Sequence, residues 1–153
     1  MATVRELGPD ETHLAHAAMR ELRPHLRDLS VDEFVRLVNK VQRPEGYRLA
    51  ASFDGDGHGD ASAVAGFRVV NHLAWGRAFY CDDLSTRPEH RRGGHAGGLM
   101  DWMIAEAERL GCAEFHLDSG VGADRQDAHR LYFNKGMRIT SYHFVVPLGR
   151  RRQ

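Results

Sequence analysis

The period of the apolar positions changes several times along the chain, and each change predicts an element. Residues 3–7 alternate as in a short strand, and Pro9 with Asp10 makes a turn that can start a helix running to about Leu22, ended by Pro24. Ser30 with Glu33 matches a capping box ahead of Phe34, Leu37, Val38 and Val41, a spacing that predicts a second amphipathic helix closed by Pro44 and Gly46. Small, β-branched and aromatic residues fill 47–53 and 62–70 on either side of the stretch DGDGHGDA, which predicts a hairpin. A third such run over 78–86 follows Trp75 and Gly76, so the three predict an antiparallel meander.

Beyond Pro88 the pattern turns helical, with Leu99, Trp102, Met103, Ala107 and Leu110 at helical spacing over 94–110 and Gly111 placed as a left-handed cap. A strand over 113–118, a helix from Asp124 to Asn134 ended by Gly136, and a last strand over 137–148 complete the pattern. The fold class expected is α/β (α+β), a mixed and mostly antiparallel central sheet with helices on both faces. No repeat or low-complexity linker divides it, so residues 1–153 are read as one domain.

Composition narrows the function. Apolar residues at 42 % and charged residues at 27 % sit near globular averages. Lys plus Arg and Asp plus Glu stand at 21 each, which removes the global positive field of a general nucleic-acid or membrane-surface binder; any anion site must be local. The start MATVRELGPD lacks the apolar core of a signal peptide and no run approaches the roughly 20 residues of a membrane helix, so the expectation is a cytoplasmic protein.

Cys81 and Cys112, each in an apolar-rich segment, read as reduced, packed thiols. The ten histidines are scattered, with no H-E-x-x-H and no Cys/His cluster; His13 and His16 could share a face but lack further ligands, so no metal is expected. The acidic turn from Asp54 partly imitates a calcium loop, yet its twelfth position, Ala65, is not the required Glu, and it reads as a solvated hairpin turn. The basic tail, 149–153, reads as a solvated end.

The most informative stretch is LSTRPEHRRGGHAGGLM over 84–100, which joins a predicted strand to a predicted helix. The first turn of a helix offers N–H groups without intrahelical acceptors and the positive end of the macrodipole, which together bind anions. Gly93, Gly94, Ala96, Gly97 and Gly98 let a phosphate approach the backbone, and Arg91 and Arg92 can add charge-assisted contacts. Neither a Walker motif nor a dinucleotide fingerprint fits, and no Lys or magnesium carboxylate stands where a phosphotransferase would need it.

With Arg91-x-x-Gly94-x-Ala96, the chain resembles the GNAT superfamily of acetyl-CoA-dependent N-acetyltransferases, whose pyrophosphate motif is [RQ]-x-x-G-x-[GA]. The lead-in Arg87-Pro88-Glu89-His90 is similar to the family's V-x-P-E-Y-R, and Tyr80 through Leu84 resembles its cofactor-lining strand. Ala128, Leu131, Tyr132, Gly136 and Met137 resemble the second signature, A-x-x-L-Y-x-x-x-G-F, with Met in place of Phe. The resemblance covers 78–147; the first 75 residues match only in the order of elements. It implies a sheet splayed between strands 4 and 5 to admit acetyl-CoA as cosubstrate. It implies cofactor contacts from Leu84, Ser85, Thr86, Arg91, Arg92, Gly93, Gly94, His95, Ala96 and Gly97. Many relatives carry Asn where this chain has Arg125, which could reach a phosphate instead.

Acetyl transfer to an amine requires loss of a proton from the ammonium, a donor for the leaving thiolate, and an N–H for the thioester oxygen. By the resemblance, Tyr132 is the acid, Asp82 the best-placed base, and Leu84 the source of the N–H. In a regular strand Asp82 and Asp83 face opposite sides, so only one should reach the cleft. Arg23, His25, Arg27 and Asp28 could line an acceptor pocket or be surface charge. The expected function is transfer from acetyl-CoA to a primary amine of a small molecule or peptide; the alternative is a catalytically silent acyl-CoA-binding module. The acceptor is not legible, and a homodimer is compatible with the sequence.

Overall fold

The computed structural model describes residues 2–149, so 150–153 of the basic tail lie outside the described residues. Two compact units follow one another along the chain, Met1–Leu117 and Asp118–Gln153.

The first unit holds a five-stranded sheet in the order β1 (Ala2–Leu7), β2 (Arg48–Asp54), β3 (Ala63–His72), β4 (Gly76–Thr86), β5 (Glu114–Leu117). The first four strands are antiparallel neighbours and β5 joins β4 in parallel. This is the expected mixed sheet. Pairing between β4 and β5 stops at Cys81 and Leu117, while β4 continues to Thr86. Residues 82–86 of β4 therefore extend past the end of β5 with no partner on that side among the described residues.

Side-chain alternation assigns the two faces. Leu7, Leu49, Ala51, Phe53 and Val64 point to one face, in a core shared with α1 (His16–Leu22) and α2 (Val31–Leu37) through Ala18, Met19 and Phe34. Phe67 and Phe79 stack at 4.7 Å on the other face, where Phe67 also meets Trp102 of α3 (His95–Arg109). Arg48 fastens that face by binding Glu6 of β1 and Glu106 of α3, both at 2.7 Å. The hydrogen bonds from Arg109 and Arg48 hold the Glu106 carboxyl down at about 2, the former contributing most.

Two local expectations differ in detail. The first predicted helix opens as a 3₁₀ stretch, Pro9–Ala15, before it becomes α1. The second carries the expected capping box at Ser30 and Glu33 and closes in a π turn, Val38–Gln42. The hairpin glycines Gly55, Gly57 and Gly59 all have positive φ, as the sequence DGDGHGDA suggests. Cys81 and Cys112 are free thiols, and burial pushes the Cys81 thiol far above its ordinary value.

The second unit contains a short 3₁₀ turn, Ala123–Arg125, and α4 (Gln126–Asn134). The expected last strand over 137–148 does not form: among the described residues it pairs with no strand, and Ile139, Tyr142, Phe144, Val145, Val146 and Leu148 are exposed. Its alternating, β-branched sequence has the right period, but a strand exists only through ladder bonds to a neighbour. Among the described residues, no helix is long and apolar enough to cross a membrane.

Candidate functional site

Strand β4 leads through a 3₁₀ turn, Pro88–His90, into the glycine-rich segment and then into α3, which starts at His95. Gly94 is the N-cap with φ +81°, a left-handed conformation that glycine adopts without strain. Arg92 adopts φ +65°, uncommon for a residue with a side chain. Left-handed residues at 92 and 94 turn the chain into the helix that starts at His95. Arg91, Arg92, Gly93 and Gly94 are exposed at this turn, and Ala96 and Gly97 are half-buried in the first turn of the helix. The predicted phosphate-binding segment thus lies at the N-terminus of a 15-residue helix, with two arginines beside it.

The stretch of β4 that extends past β5 carries the acidic pair, and here the expectation from alternation fails. Gly66 pairs with Asp83 and Phe67 with Cys81, so Asp82 is an extra residue in a β-bulge. The bulge returns two successive side chains to the α1 side of the sheet. Arg68 binds Asp82 at 2.7 Å; Arg23, at the end of α1, binds Asp83 at 2.8 Å and also donates to the Asp82 carbonyl at 3.0 Å. Tyr47 donates its hydroxyl to Asp83 Oδ2 at 2.7 Å, and the Arg68 guanidinium lies 5.3 Å from the Tyr47 ring centre.

Both carboxylates therefore belong to one network, each balanced by an arginine. The Asp82 side chain is the more open of the two, 24 % exposed against 14 % for Asp83. Burial raises the Asp82 carboxyl above its ordinary value despite the hydrogen bond from Arg68. Burial, then the charge of Asp83, pushes the Tyr47 phenol well above its usual value, so Tyr47 remains a donor. Sequence reading had singled out Arg23 but missed Tyr47 and Arg68. Their only signal was a tyrosine and an arginine in predicted strands, where packing is the ordinary explanation.

Along the same strand, Leu84 pairs with Ala65, and Ser85 is buried with its hydroxyl donating to the Ala18 carbonyl at 2.6 Å. That bond engages the Ser85 side chain inside the fold. Thr86 closes β4, paired with Ala63.

A second cluster flanks the glycine-rich turn. His90 Nδ1 lies 2.6 Å from Asp54 Oδ2, His95 Nε2 lies 3.1 Å from Asp54 Oδ1, and His95 Nδ1 lies 2.7 Å from Ser52 Oγ. His95 and Ser52 are buried; Asp54 is exposed at the end of β2. The histidines scattered in sequence are thus partly assembled by the fold, which the expectation of no ligand cluster did not foresee. Asp54 is far from both in sequence, and no linear motif joins the three.

In the second unit, Tyr132 is buried on α4, its ring 6.4 Å from that of His129, and its carbonyl accepts from Met137 N–H at 3.0 Å. That bond closes the helix at Gly136, whose φ is +85°. Arg125 ends the 3₁₀ turn before α4 and is half-buried.

Comparison with known proteins decides the family. The model described as "Acetyltransferase (GNAT) family" matches residues 12–137, most of the chain and both signatures. The chain belongs to the GNAT acetyltransferase family. No curated protein sequence matches it.

Solved GNAT structures share the fold at low identity. An acetyltransferase from Trypanosoma brucei superposes with a TM-score of 0.78 at 17 % identity, covering 97 % of this chain and 100 % of the other. Glucosamine-6-phosphate N-acetyltransferase from Arabidopsis thaliana gives 0.71 at 15 %, covering 97 % and 99 %. The aminoglycoside N-acetyltransferase AAC(6')-Iy, solved in complex with CoA, gives 0.76 at 14 %, covering 97 % and 95 %. Acetyl transfer is the chemistry of this GNAT family, and the stretch of β4 that runs past the end of β5 into the glycine-rich turn is the feature of the first unit that suits it.

Proposed function

We propose that this protein transfers the acetyl group of acetyl-CoA to a primary amine of a small molecule or peptide, and that residues 1–153 act as one catalytic domain. The single observation that carries the reading is the course of β4: after its pairing with β5 ends at Cys81, it runs unpaired on that side into an arginine-flanked helix N-terminus. A thioester arm needs a strand edge to lie along, and its pyrophosphate needs amides and cations beyond the end of that edge. The CoA bound to the aminoglycoside N-acetyltransferase of like fold supports the same donor here.

In this reading the amine nitrogen attacks the thioester carbonyl carbon, the carbon–sulfur bond breaks, the nitrogen releases its second proton to solvent as the amide forms, and CoA leaves as the thiol. Asp82 takes the proton from the incoming ammonium; its raised pKa brings it nearer to the working range of a base than an ordinary carboxylate. Arg68 positions that carboxylate, and Tyr47 with Arg23 holds Asp83 beside it. The Leu84 amide polarises the thioester oxygen, Ser85 and Thr86 line the pantetheine arm, and Arg91 to Gly97 hold the pyrophosphate. Tyr132 protonates the thiolate and Arg125 reaches a phosphate; both roles rest on the places of these residues in and before the second signature.

A panel of aminoglycosides, amino sugars, polyamines and peptide amines, with CoA thiol release as readout, tests the reading. Turnover with one class supports it and names the acceptor. Tight acetyl-CoA binding without turnover on any amine would replace it by a silent binding module.

A further inference from the structure

We propose that Asp54, His90 and His95 form a binding site for one divalent transition-metal ion, zinc above others. One ligand atom from each residue lies within 4.8 Å of the other two, the spacing of a site that closes on an ion. Two imidazoles with one carboxylate is a donor set suited to zinc and its neighbours rather than to calcium or magnesium, which take oxygen ligands. In a tetrahedral site with bonds of about 2.0 Å, ligand atoms stand about 3.3 Å apart. Asp54 already touches both imidazoles, one through each carboxylate oxygen, at 2.6 and 3.1 Å, so small movements of these side chains would open that spacing for an ion. Asp54 and His90 have solvent access, so they can close on an ion and leave a fourth position to water, while buried His95 is the fixed point.

What lies behind the ligands strengthens the assignment. A metal-bound imidazole is oriented by a hydrogen bond from its other nitrogen, and His95 Nδ1 has one to the buried hydroxyl of Ser52 at 2.7 Å. Ser52 accepts when Nδ1 carries the proton, which leaves the Nε2 lone pair directed at Asp54 and free for a metal. The carboxylate has its own support, since Ser62 donates to Asp54 Oδ2 at 3.3 Å. The three ligands come from the end of β2, the 3₁₀ turn before the glycine-rich segment, and the first residue of α3. A bound ion would pin both ends of residues 91–94 to the sheet.

The test uses the untagged full-length chain stripped with a chelator. Calorimetric titration with zinc chloride should show one ion per chain, and cobalt(II) should give the intense visible bands of a tetrahedral site. His90→Ala and Asp54→Asn should each weaken binding by ~10-fold or more, Ser52→Ala by ~10-fold, the range for loss of a supporting contact, and His13→Ala not at all. Circular dichroism of each variant checks that it folds. No binding by the wild-type chain, or equal binding by folded His90→Ala, overturns the proposal. No acyl-CoA is present in these measurements, so their outcome is independent of the acetyl-transfer reading.

Discussion

Gly66 lies directly beneath the Tyr47 ring, so close that a Cβ there would collide with the phenol oxygen and the ring carbons next to it. The absence of a side chain on β3 is what lets the phenol reach across the sheet to Asp83, 2.7 Å away. Gly66→Ala should therefore force Tyr47 out of place and destabilise the fold by about 1–3 kcal/mol, the range for overpacking a core. Urea unfolding of Gly66→Ala, Tyr47→Ala and the double variant checks this. The two effects should be strongly non-additive, because the second change removes the group with which the first collides.

Bulge geometry also predicts a pH effect. If Asp82 is the base, it works as the carboxylate, so kcat/KM should rise as pH rises through its pKa, which burial places above the ordinary value of about 3.9. Arg68 pulls that pKa down, so Arg68→Met should move the acid limb of the profile to higher pH. Asp82→Asn should remove the limb and most of the rate. A limb that stays in place in both variants would assign the proton to another group.

At the glycine-rich turn, Ala96 is a sharper probe than Gly94, because Gly94 is left-handed and any side chain there strains the backbone. Ala96→Glu puts a carboxylate into the first turn of α3, where the helix dipole favours it by about 0.3–1 kcal/mol, so the protein should be no less stable. The same charge would repel a pyrophosphate. Differential scanning fluorimetry should show that acetyl-CoA raises the melting temperature of the wild-type chain and not of this variant, and that neither ATP nor NAD does so for either.

Tyr132→Phe removes a hydroxyl and keeps the ring, so folding and acetyl-CoA affinity should change little. If Tyr132 protonates the leaving thiolate, kcat should fall by on the order of 10²-fold with KM nearly unchanged. Single-turnover kinetics at saturating acetyl-CoA are the check, and wild-type chemistry in the variant would remove Tyr132 from the reaction.

The order of β1 to β5 and α1 to α4, the capping box at Ser30, and the glycine-rich turn before α3 were all legible in the sequence. Each depends on neighbours within a turn or two: apolar spacing along one element, a cap three residues away, a glycine where φ must be positive. Residues distant in the chain decided the rest. The bulge that puts Asp82 and Asp83 on one face depends on how β4 registers against Gly66 and Phe67, and alternation within β4 alone predicts the opposite. Residues 137–148 carry a strand's period, yet a strand also needs a partner to bond with, which no property of the segment itself supplies. Asp54, His90 and His95 meet only because β2 ends where α3 begins, a juxtaposition created by the packing of the helix on the sheet and not by any spacing along the chain.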